Sequence, residues 1–113
     1  MATTITLTYK DKPYTLEFTK RTVQMLESNG FSMRDLAEGR NRITLLEQLF
    51  AGAFMAHHSR DVKPALVDEM LAHVKNKDDL FATLVTMYQE PGEAFMAEPD
   101  EDDAGNATWE AKS

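Results

Sequence analysis

The chain has 113 residues, 42% of them hydrophobic, a formal net charge of −7 and no cysteine. That length supports one domain with a modest core; the lack of cysteine excludes disulfides, thiol catalysis and Cys-ligated zinc, and the acidic balance argues against nucleic acid, whose phosphates need clustered Lys and Arg. No basic start followed by an apolar block opens the sequence, and the densest apolar run, residues 43–56, is interrupted by Glu47 and Gln48 and falls short of the roughly 20 residues that span a bilayer, so a soluble, cytoplasmic protein is expected.

Residues 4–19 read as a β-hairpin. Ile5, Leu7 and Tyr9 alternate with threonines, and so do Tyr14, Leu16 and Phe18 with Thr15, Glu17 and Thr19. Taking Lys10-Asp11-Lys12-Pro13 as a four-residue turn pairs Tyr9 with Tyr14, Leu7 with Leu16 and Ile5 with Phe18, which puts every apolar side chain on one face. A two-stranded hairpin is marginal alone, so that face needs a cover of helices or a strand from another subunit.

The helices follow at once. Thr19 is placed to cap a helix through Ser28, with Asn29-Gly30 as its stop. Ser32 with Asp35 resembles a capping box and opens a short helical turn ending at Gly39. Asn41 opens the most apolar helix, running to about His58 and including Ile43, Leu45, Leu46, Leu49, Phe50, Phe54 and Met55; apolar on more than one side, it is expected at the centre. Pro64 suits a first helical position, followed by Leu66, Val67, Met70, Leu71 and Val74 at helical spacing. Asp78 and Asp79 favour a last helix start, and Pro91-Gly92 is expected to end or kink that helix, leaving one further turn around Phe95. The expected fold is α+β: an N-terminal antiparallel hairpin, then a bundle of four to five helices over residues 1–97, then a disordered acidic tail over residues 98–113.

The charge is unevenly placed. Residues 98–113 carry Glu98, Asp100, Glu101, Asp102, Asp103 and Glu110 against Lys112 alone, which leaves 13 acids and 11 bases for residues 1–97. An acidic stretch with small residues and proline is expected to stay extended and solvated. Trp109, the only tryptophan, then has two readings: packed back onto the domain, because large aromatics rarely stay exposed, or an anchor on a flexible tether, because Trp concentrates interface energy in one side chain.

Chemistry-bearing patterns are weak. His57-His58 and His73 lack His-x-x-x-His or HExxH spacing, and adjacent helical histidines point about 100° apart, so no metal or cofactor site is expected. Asp61, Asp68 and Glu69 read as carboxylates on solvated faces rather than an acid–base pair. The glycines form no phosphate loop, and Ser28, Ser32 and Ser59 lack a nucleophile elbow, so no catalytic residue is assigned. The basic clusters at Lys20-Arg21 and between Arg34 and Arg42 are short, the second broken by Asp35 and Glu38. Met25, Met33, Met55, Met70, Met87 and Met96 lie along helical faces and read either as core filler or as an adaptable binding surface.

Three stretches together resemble the short-form tail assembly chaperones of long-tailed bacteriophages and related prophages. They are the Thr-rich hairpin running into a helix, ITLTYKDKPYTLEFTKRTVQMLE; the helix end LVTMYQEPGEAF; and the acidic tail finishing in GNATWEAKS. The resemblance covers nearly the whole chain and implies a non-enzymatic protein that binds the apolar, largely helical tape measure protein, prevents its aggregation, helps recruit tail tube subunits and is absent from the finished virion. It also implies a minority product, made by a programmed ribosomal frameshift, whose C-terminal extension links chaperone to tube protein. No contact residues carry over from the family; Phe95, Met96 and Trp109 are taken as partner-binding residues from their position beside or within the tail. Two alternatives stand beside this reading: an acidic DNA mimic, which would spread its acids along one whole face, and an oligomeric protein-interaction module pairing through the hairpin edge as a homo-oligomer.

Overall fold

The computed structural model describes residues 3–97 together with 110 and 111. Its order is β1 (Ile5–Tyr9), β2 (Lys12–Leu16), α1 (Lys20–Ser28), α2 (Met33–Ala37), α3 (Arg42–Ala53), α4 (Met55–His58), α5 (Pro64–His73) and α6 (Lys77–Met96). The fold is α+β, an antiparallel hairpin followed by six helices among the described residues. No described helix is long and apolar enough to cross a membrane. The acidic residues 98–109, with Trp109, lie outside the described residues, so their expected disorder does too.

The hairpin register differs from the sequence expectation by two residues. Ile5 pairs with Leu16, Leu7 with Tyr14 and Tyr9 with Lys12. The turn is therefore two residues long, with Lys10 and Asp11 both at positive φ (50° and 65°), the backbone of a type I′ turn whose twist matches that of the strands. Pro13 consequently belongs to β2, opposite Thr8. The ladder alternates from the Tyr9–Lys12 closing pair, which puts Pro13 where its nitrogen faces away from β1 and no ladder bond is lost. The slip of two leaves the same side chains inward, and Leu7, Tyr14, Leu16 and Phe18 are all buried.

Each helix end has a local cause. Thr19 caps α1 through a reciprocal pair with Thr22: the Thr22 N–H donates to Thr19 Oγ1 (3.2 Å) and the Thr19 N–H to Thr22 Oγ1 (2.8 Å). The helix closes in a Schellman motif, with Gly30 at φ 93°, the Phe31 N–H on the Leu26 carbonyl (3.0 Å) and the Gly30 N–H on that of Glu27 (3.1 Å). The same geometry recurs after α2, where Ser32 caps the start and Gly39 (φ 79°) lets the Arg40 N–H reach the Asp35 carbonyl at 2.8 Å. Asn41 and Asn76 precede α3 and α6 in the left-handed region, which asparagine tolerates better than most residues, and neither side chain makes a capping bond.

The α3 helix is central, packing against α1, α2, α5 and α6. Leu49, Phe50 and Ala53 are fully buried, and the core continues through Leu16, Phe54, Met70, Leu84 and Met87. Phe18 and Tyr88 meet edge to face at 5.5 Å, tying the end of the hairpin to α6. The expected helix from Asn41 to His58 is broken at Phe54, which raises the helix count above four to five. The break frees the Ala53 carbonyl: the His57 N–H donates to the Phe54 carbonyl instead, and Ala53 accepts the Glu17 N–H at 2.9 Å. At the other end of the fold α6 runs through Pro91 without stopping. Proline's own φ is helical; its cost is one lost hydrogen bond and crowding against the carbonyl four residues back, and the following Glu93, Ala94, Phe95 and Met96 carry the helix on.

Candidate partner-binding surface

The described histidines do not converge; each serves as a structural fastener. His58 Nε2 accepts the Thr15 N–H at 3.0 Å, so its ring proton sits on Nδ1 and points at Asp61 Oδ2, 3.1 Å away. Its imidazole packs edge-on against Tyr14 at 5.3 Å. His57 turns instead to Glu17 Oε1 at 2.6 Å, and His73 Nδ1 lies 2.9 Å from the Glu69 carbonyl oxygen at the end of α5. Among the described residues no group of three or more His, Asp or Glu is placed to hold a metal ion. Replacing His58 with alanine removes the acceptor for Thr15 while the side chain is only 15% exposed. It is expected to lower stability by about 1–3 kcal/mol, with faster hydrogen exchange at the Thr15 amide as the local readout.

Two of the three carboxylates considered in the sequence as acid–base candidates, Glu69 and Asp61, are engaged in the same way. Glu69 accepts the Tyr9 hydroxyl and pairs with Lys10 at 3.2 Å, clamping the hairpin turn to α5. Asp61 lies between His58 and Lys12, and Asp68 lines a groove on α5. Glu90 holds Thr3 through its N–H (2.9 Å) and hydroxyl (2.7 Å). These bonds hold three carboxyls below their ordinary range: Glu69 mainly through the Tyr9 hydroxyl, Asp61 mainly through His58, and Glu90 mainly through the Thr3 backbone N–H. A depressed carboxylate contributes stability that is present above its unfolded pKa and is lost as pH falls through its folded pKa. Asp61 and Glu69 are exposed and Glu90 is half-buried at the surface, so the individual effects are small. Urea midpoints are expected to fall as pH drops below about 4, and Glu69→Gln with Glu90→Gln should flatten that dependence.

Within the basic cluster between Arg34 and Arg42, Arg34 and Arg40 both reach Glu38, at 3.3 and 3.5 Å. What the described surface offers outward is apolar. Phe95 is 66% exposed and Met96 76% exposed on the last turn of α6. Pro91, Ala94 and Phe95 form one side of a pocket of about 370 Å³, with Phe18, Thr19 and Lys20 on the other and Glu17 and Glu90 also lining it. Lys20 Nζ stands 4.9 Å from the Phe95 ring centroid, a cation–π contact that steadies the ring without covering it. The helix carries these side chains past the core because it does not stop at Pro91.

Two further apolar depressions were not read from the sequence. Ile43 is 74% exposed beside a groove of about 400 Å³ floored by Leu46, Leu71, Ala72 and Phe81 between α3, α5 and α6. Met25 and Met55, each 37% exposed, flank Leu26, Ala51 and Gly52 between α1 and α3. The methionines thus divide: Met70 and Met87 are core, while Met25, Met55 and Met96 face outward. The signal for Ile43 was available, since two residues along a helix turn it about 200° away from Leu45.

Of the residues taken as partner-binding, Phe95 and Met96 are adjacent and exposed on α6, and Trp109 lies outside the described residues. The arrangement suits capture of apolar side chains through flexible methionines and one aromatic anchor. No curated protein and no solved structure matches the chain. One protein-family model does, over residues 1–113, and by that match the chain belongs to the family described as a domain of unknown function, DUF5055.

Proposed function

We propose that this protein is a tail assembly chaperone of a long-tailed bacteriophage or prophage, acting without enzymatic activity in the cytoplasm of the bacterial host. It binds the tape measure protein, keeps it dissolved, and helps recruit tail tube subunits through a frameshifted longer form, without entering the mature virion. The observation that carries this reading is the pair Phe95 and Met96, exposed at the end of α6 and followed directly in sequence by the acidic residues 98–103. Apolar contact area takes up a client, and adjoining charge keeps the complex in solution. Met25, Met55 and Ile43 offer further exposed apolar side chains on α1, α4 and α3, separate points of contact for an elongated helical client.

The test is co-expression with the large helical protein encoded downstream, comparing its soluble yield with and without this chain and looking for a shared peak in size exclusion. Rescue with co-elution is the expected result. Failure of both removes the client-holding mechanism.

A further inference from the structure

The two edges of the hairpin are treated differently. Along the outer edge of β2 and the residue that follows it no N–H is left over: the Thr15 N–H goes to His58, the Glu17 N–H to the Ala53 carbonyl, and Pro13 has no N–H to offer. On β1, the alternation set by the Leu7–Tyr14 and Tyr9–Lys12 pairs turns the N–H and C=O of Thr6 and Thr8 away from β2. No partner for those groups occurs among the described residues. Beside them runs an open groove of about 420 Å³ whose far wall includes Val74, Lys75, Asp79, Leu80 and Thr83. Of the devices that guard natural edges, a charge, a proline and a bulge are missing from β1 itself.

We propose that this edge pairs with β1 of a second copy, antiparallel about a two-fold axis at Leu7, so that the strands run β2-β1-β1-β2 through one sheet. The register follows from the groups available. Using both outward threonines of each copy sets Thr6 opposite Thr8 of the second copy and Leu7 opposite its equivalent, with N–H···O=C bonds exchanged in both directions. In that register Ile5, Leu7 and Tyr9 stay on the core face of the sheet, and the threonines meet as cross-strand pairs on the outer face. Residues 3–9, TTITLTY, carry no charge, so no like charges face each other along the paired strands. A second copy is therefore the occupant that the edge fits by its own symmetry.

Light scattering across a concentration series, combined with amide hydrogen exchange on the full chain, tests this. The mass should double on concentrating, and exchange at Thr6 and Thr8 should slow by roughly tenfold or more while Leu7, already paired with Tyr14, stays unchanged. Thr8→Pro, which copies the Pro13 device onto β1, should give a monomer; so should Thr6→Lys with Thr8→Lys, which faces like charges across the seam and stands in if the proline variant fails to fold. The proposal is overturned by a wild-type chain that is monomeric throughout, by a dimer that survives both variants, or by a dimer whose Thr6 and Thr8 amides exchange as fast as in the monomer. None of these readouts involves a client, so failure here leaves the chaperone reading standing.

Discussion

Replacing Phe50 with alanine is expected to lower the unfolding free energy by about 3–5 kcal/mol. Phe50 is fully buried on the central helix, edge-on to Phe54 at 5.2 Å and to Phe81 at 6.5 Å. Truncation leaves a cavity between Phe54 and Phe81. A domain of this size has about 5–15 kcal/mol in total, so the variant should populate unfolded chain measurably at 37 °C. Urea unfolding checks it: the midpoint should fall with the slope unchanged. Phe95→Ala is the contrast. The same residue type, two-thirds exposed, should shift stability by less than about 0.5 kcal/mol.

The second large effect is on the proposed function. Phe95→Asp combined with Met96→Asp should leave the urea midpoint nearly unchanged while reducing soluble client to the level seen without the chaperone. Loss of two exposed apolar anchors at an interface centre weakens binding by roughly tenfold or more for each, the scale of interface hot spots, and the added charge opposes an apolar client further. Ile43→Asp tests the groove between α3, α5 and α6 in the same assay. Full rescue by the Phe95/Met96 variant would take the client surface away from the end of α6.

The elements were legible where a local rule decides them. Thr19 and Ser32 cap their helices, Gly30 and Gly39 end them, and Pro64 begins one, each through a bond or torsion that a single residue supplies. The hairpin register was not legible from alternation, because a slip of two residues keeps Leu7, Tyr14 and Leu16 on the same face; the choice was made by Lys10 and Asp11 entering the left-handed region. Phe54 gives no warning that α3 will break there. The break is set by tertiary demand, the Glu17 N–H needing the Ala53 carbonyl. Of the two outcomes expected at Pro91, an end or a kink, the end does not occur, since the helix continues to Met96. Phe95 and Met96 are named from their place beside the acidic segment, and both are exposed; Ile43 counts among the apolar residues of the helix expected at the centre, and it faces outward.

The closure of β2 by the α3–α4 break also sets a time. Its outer edge is satisfied by the Ala53 carbonyl and by His58, the latter 43 positions after Thr15. A ribosome adding 5–20 residues per second takes about 2–9 s to cover that interval. Until then a newly made hairpin has both edges bare, and neighbouring chains on one message pass through the same exposed stage together. The order in which the two edges find partners is thus written into the spacing between Thr15 and His58.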